Sequence, residues 1–170
     1  MASRAIAALD GLVARAYHRA AGLAHVLDPA PRVRGLLSDQ VRASAALLDA
    51  AEAAGMRVYL DLAEELMRSA LAKLWVPEAG ALADRVVSPA GAGDVGLLGE
   101  PLFPLALNSL AARVLARLAA LTGDAALARR AREILGAFGA TWAAAGLDGA
   151  CYAEAVAEVC CGTLQRPGGS

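Results

Sequence analysis

Two stretches of this sequence repeat one pattern at a fixed distance. "LLDAAEAAGMRVYLDLAEEL" (47–66) and "VLARLAALTGDAALARRAREIL" (114–135) align when Gly55 is set against Gly123, an offset of 68 residues. Leu47 then faces Leu115, Ala63 faces Ala131, Glu65 faces Glu133 and Leu66 faces Ile134. Each copy reads as an apolar inner helix, a glycine turn and a more charged outer helix. The glycine supplies the left-handed conformation that ends the first helix of the pair. Asp124 is placed to cap the helix that follows; Met56, its counterpart, cannot. A helical hairpin repeated at this length builds either a superhelix or a closed toroid, because one hairpin cannot bury its apolar face alone. Tetratricopeptide repeats are shorter, near 34 residues. A long glycine-rich insertion between the hairpins also favours the toroid.

Around the repeat the chain reads as six helices, expected over 4–20, 38–54, 57–75, 104–121, 124–145 and 148–162. The connection "GLAHVLDPAPRVRG" separates the first two. "VPEAGALADRVVSPAGAGDVGLLGEP" (76–101) is too rich in glycine and proline for a helix, and "ALADRVV" within it can form a short strand. Residues 1–162 are expected to form a single α/α domain and 163–170 a flexible tail.

With 170 residues, 58% hydrophobic and 19% charged, the chain can bury a sizeable core. Its net charge of −1 gives no electrostatic reason for a nucleic-acid or membrane partner. No apolar run reads as long enough to span a bilayer, and the N-terminus lacks the apolar core of a signal peptide, so a cytoplasmic chain is expected. Cys151, Cys160 and Cys161 show no C-x-x-C and no zinc spacing, and read as small apolar filler. Neither H-x-x-x-H nor H-E-x-x-H occurs, so no metal site is expected. "GAGDVGLLG" (91–99) lacks the lysine and hydroxyl of a phosphate loop, and no other cofactor motif appears, so no cofactor is expected.

Several patterns occur in order: "GLAHVL", "VRGLLSDQV", "YLDLAEELM", "LWVPEAGALADR" and "EPLFPLALNSLAARVLARLAALTGD". Together they resemble the C-terminal helical region of thioredoxin-domain-containing proteins of the spermatogenesis-associated protein 20 type, over about residues 10–160. The resemblance implies an (α/α)6 barrel related to six-hairpin glycosidases and N-acylglucosamine 2-epimerases, hence a link to carbohydrate metabolism. Such a barrel needs about twelve helices, twice the number read here. The chain therefore resembles a stand-alone or truncated segment, about half a toroid, that is not catalytic alone. A second copy or a partner chain would complete the barrel. The thioredoxin-like domain's redox chemistry is not carried over, since its cysteines are absent.

On a toroid the N-termini of the inner helices line the cavity. Asp39 and Gln40, in the first turn after Ser38, are then the leading site residues for a carbohydrate ligand. They can also be part of an ordinary helix start, with Ser38 as the cap, a role that needs nothing more. Asp84 and Asp94 in the long loop can supply a second carboxylate or cap a turn. His25 can act as acid or base, or serve structurally; His18 reads as lying on a helix surface. Glu100 and Asn108 lie at the entry to the second inner helix, where a buried amide must find partners. Trp75 and Trp142 end the two outer helices and can stack on a sugar or pack the core. Two other readings remain: a sugar-binding or sugar-isomerising enzyme using Asp39, His25 and Asp84, and a helical-repeat scaffold for protein partners. The enzyme reading requires those side chains to converge; the scaffold requires no buried polar cluster near Asp39.

Overall fold

A computed structural model describes residues 2–86 and 100–161. The chain is mainly helical, about two thirds of it, with six α-helices and two small sheets among the described residues. In chain order these are α1 (Ala2–Ala16), β1 (Tyr17–His18), β2 (Gly22–Val26), β3 (Arg32–Arg34), α2 (Leu37–Ala54) and α3 (Arg57–Leu74). They are followed by β4 (Trp75–Val76), β5 (Ala81–Leu82), α4 (Leu105–Thr122), α5 (Ala125–Ala137), a 3-10 turn (Trp142–Ala144) and α6 (Asp148–Cys160).

The chain divides into two compact units. The first comprises residues up to 78 and 82–104; the second comprises 79–81 and the chain from 105 onward. Each is built on one copy of the repeat. The offset of 68 holds at three helix boundaries: α2 starts at Leu37 and α4 at Leu105, α2 ends at Ala54 and α4 at Thr122, and α3 starts at Arg57 and α5 at Ala125.

The turns explain this agreement. Gly55 has φ +67° and its N–H bonds the carbonyl of Ala51; Gly123 has φ +77° and bonds Ala119. Both close the inner helix in the left-handed region, where a side chain would be strained. Asp124 caps α5 by accepting from Ala126 N at 2.8 Å, whereas Met56 makes no side-chain cap. Equivalent positions are buried in both units: Leu47 and Leu115, Ala63 and Ala131, Leu66 and Ile134. Truncating a leucine this deep to alanine costs about 2–5 kcal/mol.

In the first unit α2 packs along α3, and α1 packs on α2 and β2. The phenol of Tyr59 donates to Asp10 at 2.9 Å, tying α3 to α1. A three-stranded antiparallel sheet, β1-β2-β3, lies against the start of α2. Arg34 holds it by donating to the carbonyls of Ala16 (2.7 Å) and Gly22 (2.8 Å). In the second unit α4 packs on α5 and α6. Arg113 of α4 grips Glu158 of α6 with two bonds of 2.6 and 2.7 Å and reaches Glu154 at 3.0 Å. Tyr152 stacks on Trp142 and donates to the carbonyl of Leu135. Among the described residues α4 is one helix long and apolar enough to cross a membrane by length and composition. This differs from the expectation that no run reaches that length. Its contacts with α5 and α6 use that apolar character as a core helix does.

Several expectations are corrected. The first helix ends at Ala16, not Ala20, because Tyr17 and His18 pair with Leu23 and Gly22, so His18 lies on a strand. "GLAHV" is a strand rather than part of a connection, and "RVR" pairs with it. The fifth helix stops at Ala137, where Phe138 turns back onto Leu135 and Gly136. The cysteines are all exposed and do not fill a core. Asp94, the loop "GAGDVGLLG" and the tail 163–170 lie outside the described residues.

Because Met56 occupies the position of the capping Asp124, Met56→Asp should stabilise the chain by about 1 kcal/mol and Asp124→Ala should destabilise it by about 1 kcal/mol in urea unfolding. All three tyrosines also hold their protons above the ordinary phenol range. Tyr17 is pushed up to about 12 by burial and then by its hydrogen bond to Glu65. Tyr59 is raised by its bond to Asp10, and Tyr152 by burial. Above about pH 10 the unfolded chain loses phenol protons that the native one keeps. Stability is therefore full below that pH and falls as pH rises toward 12, which phenolate absorbance and unfolding measured together would report.

Candidate functional site

Polar side chains gather in the first unit at the start of α2, and the first question is what satisfies that helix's free N–H groups. Ser38 is not the cap. The N-cap residue is Leu36, which offers no side-chain bond, and Ser38 lies inside the first turn with its hydroxyl 3.4 Å from Asp39. A tertiary contact substitutes: Leu37 N donates to the carbonyl of Asp84 at 2.8 Å. Asp84 thus supports the helix start through its backbone. Its carboxylate is turned into the loop, accepting from Leu102 N at 3.1 Å and from Arg85 at 2.9 Å.

With the cap supplied elsewhere, Asp39 is available for another partner. His25 on β2 presents Nδ1 to both carboxylate oxygens, at 3.1 and 3.2 Å. An ionised carboxylate only accepts, so in this contact Nδ1 is the donor, and whenever the ring is neutral the lone pair is on Nε2. The imidazole side chain is 53% exposed and the Asp39 side chain 21%. Geometrically this is an imidazole base oriented by a carboxylate, the arrangement that accepts a proton from a hydroxyl group.

Gln40, the next residue, has a different occupation. It is 2% exposed, accepts from Leu23 N at 3.1 Å and donates to the carbonyl of Leu23 at 3.4 Å. The side-chain amide acts as a one-residue strand partner for β2, so both its oxygen and its nitrogen are committed to the fold. Gly22 permits this approach. A Cβ there would sit 2.6 Å from Gln40 Oε1, and the residue's φ is +78°. Ser44, one turn on, donates to the carbonyl of Gln40 at 2.7 Å.

The other sequence candidates fall elsewhere. Glu100 is exposed, and its carbonyl accepts from Arg85. Trp75 is the half-buried residue at the end of α3 where β4 begins. Asn108, in the second unit, is fully buried in α4 and stands 68 residues from Gln40. Both hairpins therefore bury an amide in the first turns of the inner helix. Beside Asn108, Ser109 Oγ is buried without a hydrogen-bond partner among the described residues.

Next to Gln40, between Gly35, Ser69 and Lys73, lies a cavity of about 10 Å³. That is room for about one water molecule and far below what a sugar requires. No group of three His, Cys, Asp or Glu suited to a metal ion occurs among the described residues.

Of the three side chains that the enzyme reading requires to converge, His25 and Asp39 meet, whereas the Asp84 carboxylate turns to Leu102 and Arg85; Gln40, expected at a ligand, is bonded to Leu23 instead. The repeat offset, carried as far as position 108, was the available signal that Gln40 is a core amide. Compared with models of known protein families and with curated proteins, the sequence finds no match to either.

The bond between Gln40 and Leu23 predicts a difference between two glycines of this unit. Gly55 and Gly22 both have positive φ, but a Cβ at Gly55 meets nothing within 4 Å. Gly55→Ala should cost about 1 kcal/mol of backbone strain. Gly22→Ala should cost about 1–3 kcal/mol beyond that, from displacing a buried amide, as read by urea unfolding.

Proposed function

We propose that this chain is one part of an (α/α)6 toroid related to carbohydrate-acting barrels, and that it works with a second copy or a partner chain rather than as a complete enzyme. This reading takes its family from the resemblance to the C-terminal region of thioredoxin-domain-containing proteins of the spermatogenesis-associated type. The observation that carries it is the repeated hairpin: two inner helices of 18 residues with the same start, the same glycine turn and a buried amide at the same position. Hairpins of this kind stack on further hairpins to cover their apolar faces. Val58 (57% exposed), Leu102 (60%) and Leu147 (92%) are apolar groups that such a neighbour would cover.

Light scattering across a concentration series should find an oligomer for the chain alone, or a stable complex when a thioredoxin-domain chain from the same source is co-expressed. A monomer at every concentration that captures no such chain would sink the proposal.

A second reading is favoured over a bare protein scaffold by one observation, the pairing of His25 with Asp39. In this reading the pair performs acid–base chemistry on a sugar, with Nε2 taking a proton from a hydroxyl or from a carbon beside a carbonyl, and Asp39 stabilising the imidazolium. Asp84 drops out of the catalytic set, since its carboxylate is engaged by Leu102 and Arg85. Titration of the assembled protein with a panel of free hexoses and N-acylhexosamines should perturb the His25 ring signals and leave those of His18 in place. Asp39→Asn should reduce turnover of a responding sugar by about 100-fold or more, the range of a positioned acid–base group. Equal perturbation of both histidines, or an Asp39→Asn variant with full activity, would count against it.

A further inference from the structure

His25 has one hydrogen-bond partner among the described residues, Asp39, and its ring is half exposed, so no second hydrogen bond there fixes the imidazole's direction. What fixes it must be the placement of β2 relative to α2. The bonds from Gln40 to Leu23 are made between those same two elements, one residue from Asp39 on the helix and two residues from His25 on the strand. We propose that Gln40 is the positioning residue of the His25–Asp39 pair, with Gly22 as the backbone site that admits it; this rests on the reading of His25 as a proton-transfer group.

The geometry gives the reason. β2 is held along its edges by β1 at Gly22 and Leu23 and by β3 at Ala24 and Val26. Those bonds set the sheet's own register and say nothing about its distance from α2. Gln40 sets that distance, because both polar atoms of its amide must meet the N–H and carbonyl of one residue. A hydrogen bond weakens steeply when its geometry is lost. If the strand moves off the helix, the Nδ1–carboxylate contact of 3.1 Å is lost with it and the ring returns to the mixture of tautomers found in water.

The chain has two histidines, so its imidazole nitrogens can be read one by one in a ¹⁵N-labelled sample of the whole protein. In the wild type, His25 should carry its hydrogen on Nδ1. In Gln40→Met, which keeps the side-chain length and removes both bonds, His25 should lose that preference by about tenfold, the equivalent of one charge-assisted hydrogen bond, while His18 is unchanged. Gly22→Ala should reproduce the loss with Gln40 itself intact. Ser44→Ala removes the hydroxyl that bonds the Gln40 carbonyl but leaves the amide side chain alone, and should keep the wild-type His25 signal.

A Gln40→Met chain that is folded by circular dichroism and retains the wild-type His25 tautomer would overturn the proposal. If that variant does not fold, Gly22→Ala decides on the same terms. A wild-type His25 without the Nδ1 hydrogen would overturn both the proposal and the proton-transfer reading beneath it. Loss of the tautomer in the variants without any sugar turnover in the wild type would leave the positioning role standing and remove the sugar reading alone.

Discussion

Gln40 buries an amide against one residue's backbone, and the first unit is arranged around that contact. A buried amide left unpaired would cost several kcal/mol. Paired at both atoms, it ties the central strand of a small sheet to the first turn of the inner helix. The demands spread from there. Residue 22 must be a glycine, because a Cβ would enter the amide. Arg34 reaches across to the carbonyls of Gly22 and Ala16, satisfying acceptors that the bend from α1 into the sheet leaves open. The helix start, sitting under a strand instead of in water, takes its outermost N–H partner from the carbonyl of Asp84. Burial of the helix start thus recruits partners from two separate parts of the chain, β2 and Asp84.

The second unit solves the same local problem with different material. Its inner helix begins at the equivalent residue, ends at an equivalent glycine and buries Asn108 where the first buries Gln40. Asparagine is one methylene shorter, so it cannot make the same reach from the same backbone position. Beyond α5 the units diverge further. The outer helix is 13 residues here and 18 in the first unit, and α6 packs on α4 through the bidentate grip of Arg113 on Glu158. What the repeat conserves is the hairpin's hinge and inner core; what it varies is the material packed around each helix start.

That division explains what could be read in advance. Helix periods, the two glycine turns and the Asp124 cap are local, so the sequence displayed them within a few residues. The inner-helix boundaries followed from the same signals. The strands did not, because "GLAHV" and "RVR" are short and irregular in alternation and hold their shape through Arg34 and Gln40, bonds spanning 12 to 18 residues. The end of α1 was lost for the same reason. Ser38 was misread because a serine before a helix is usually its cap, and only the position of Asp84, far along the chain, shows the need already met. Of the site, Asp39 and His25 were legible as members of one candidate set; that Asp84 turns away to Leu102 and Arg85, and that Gln40 is bonded to Leu23, was not.

A half-exposed imidazole beside a carboxylate has limited chemical force as it stands. In water an ion pair at 4 Å is worth about 1 kcal/mol, and about four times that at the effective dielectric of a protein surface. Stabilising an imidazolium during proton transfer needs the stronger regime, which means excluding solvent from the ring. The cavity beside Gln40 holds about one water molecule and so cannot enclose a substrate. Whatever encloses His25 must therefore come from atoms other than those that line this cavity. A second chain would raise the electrostatic worth of the pair only by covering His25 itself. Gln40 matters under either condition, because it fixes the geometry of the pair before enclosure, so that closing the site need not also assemble it.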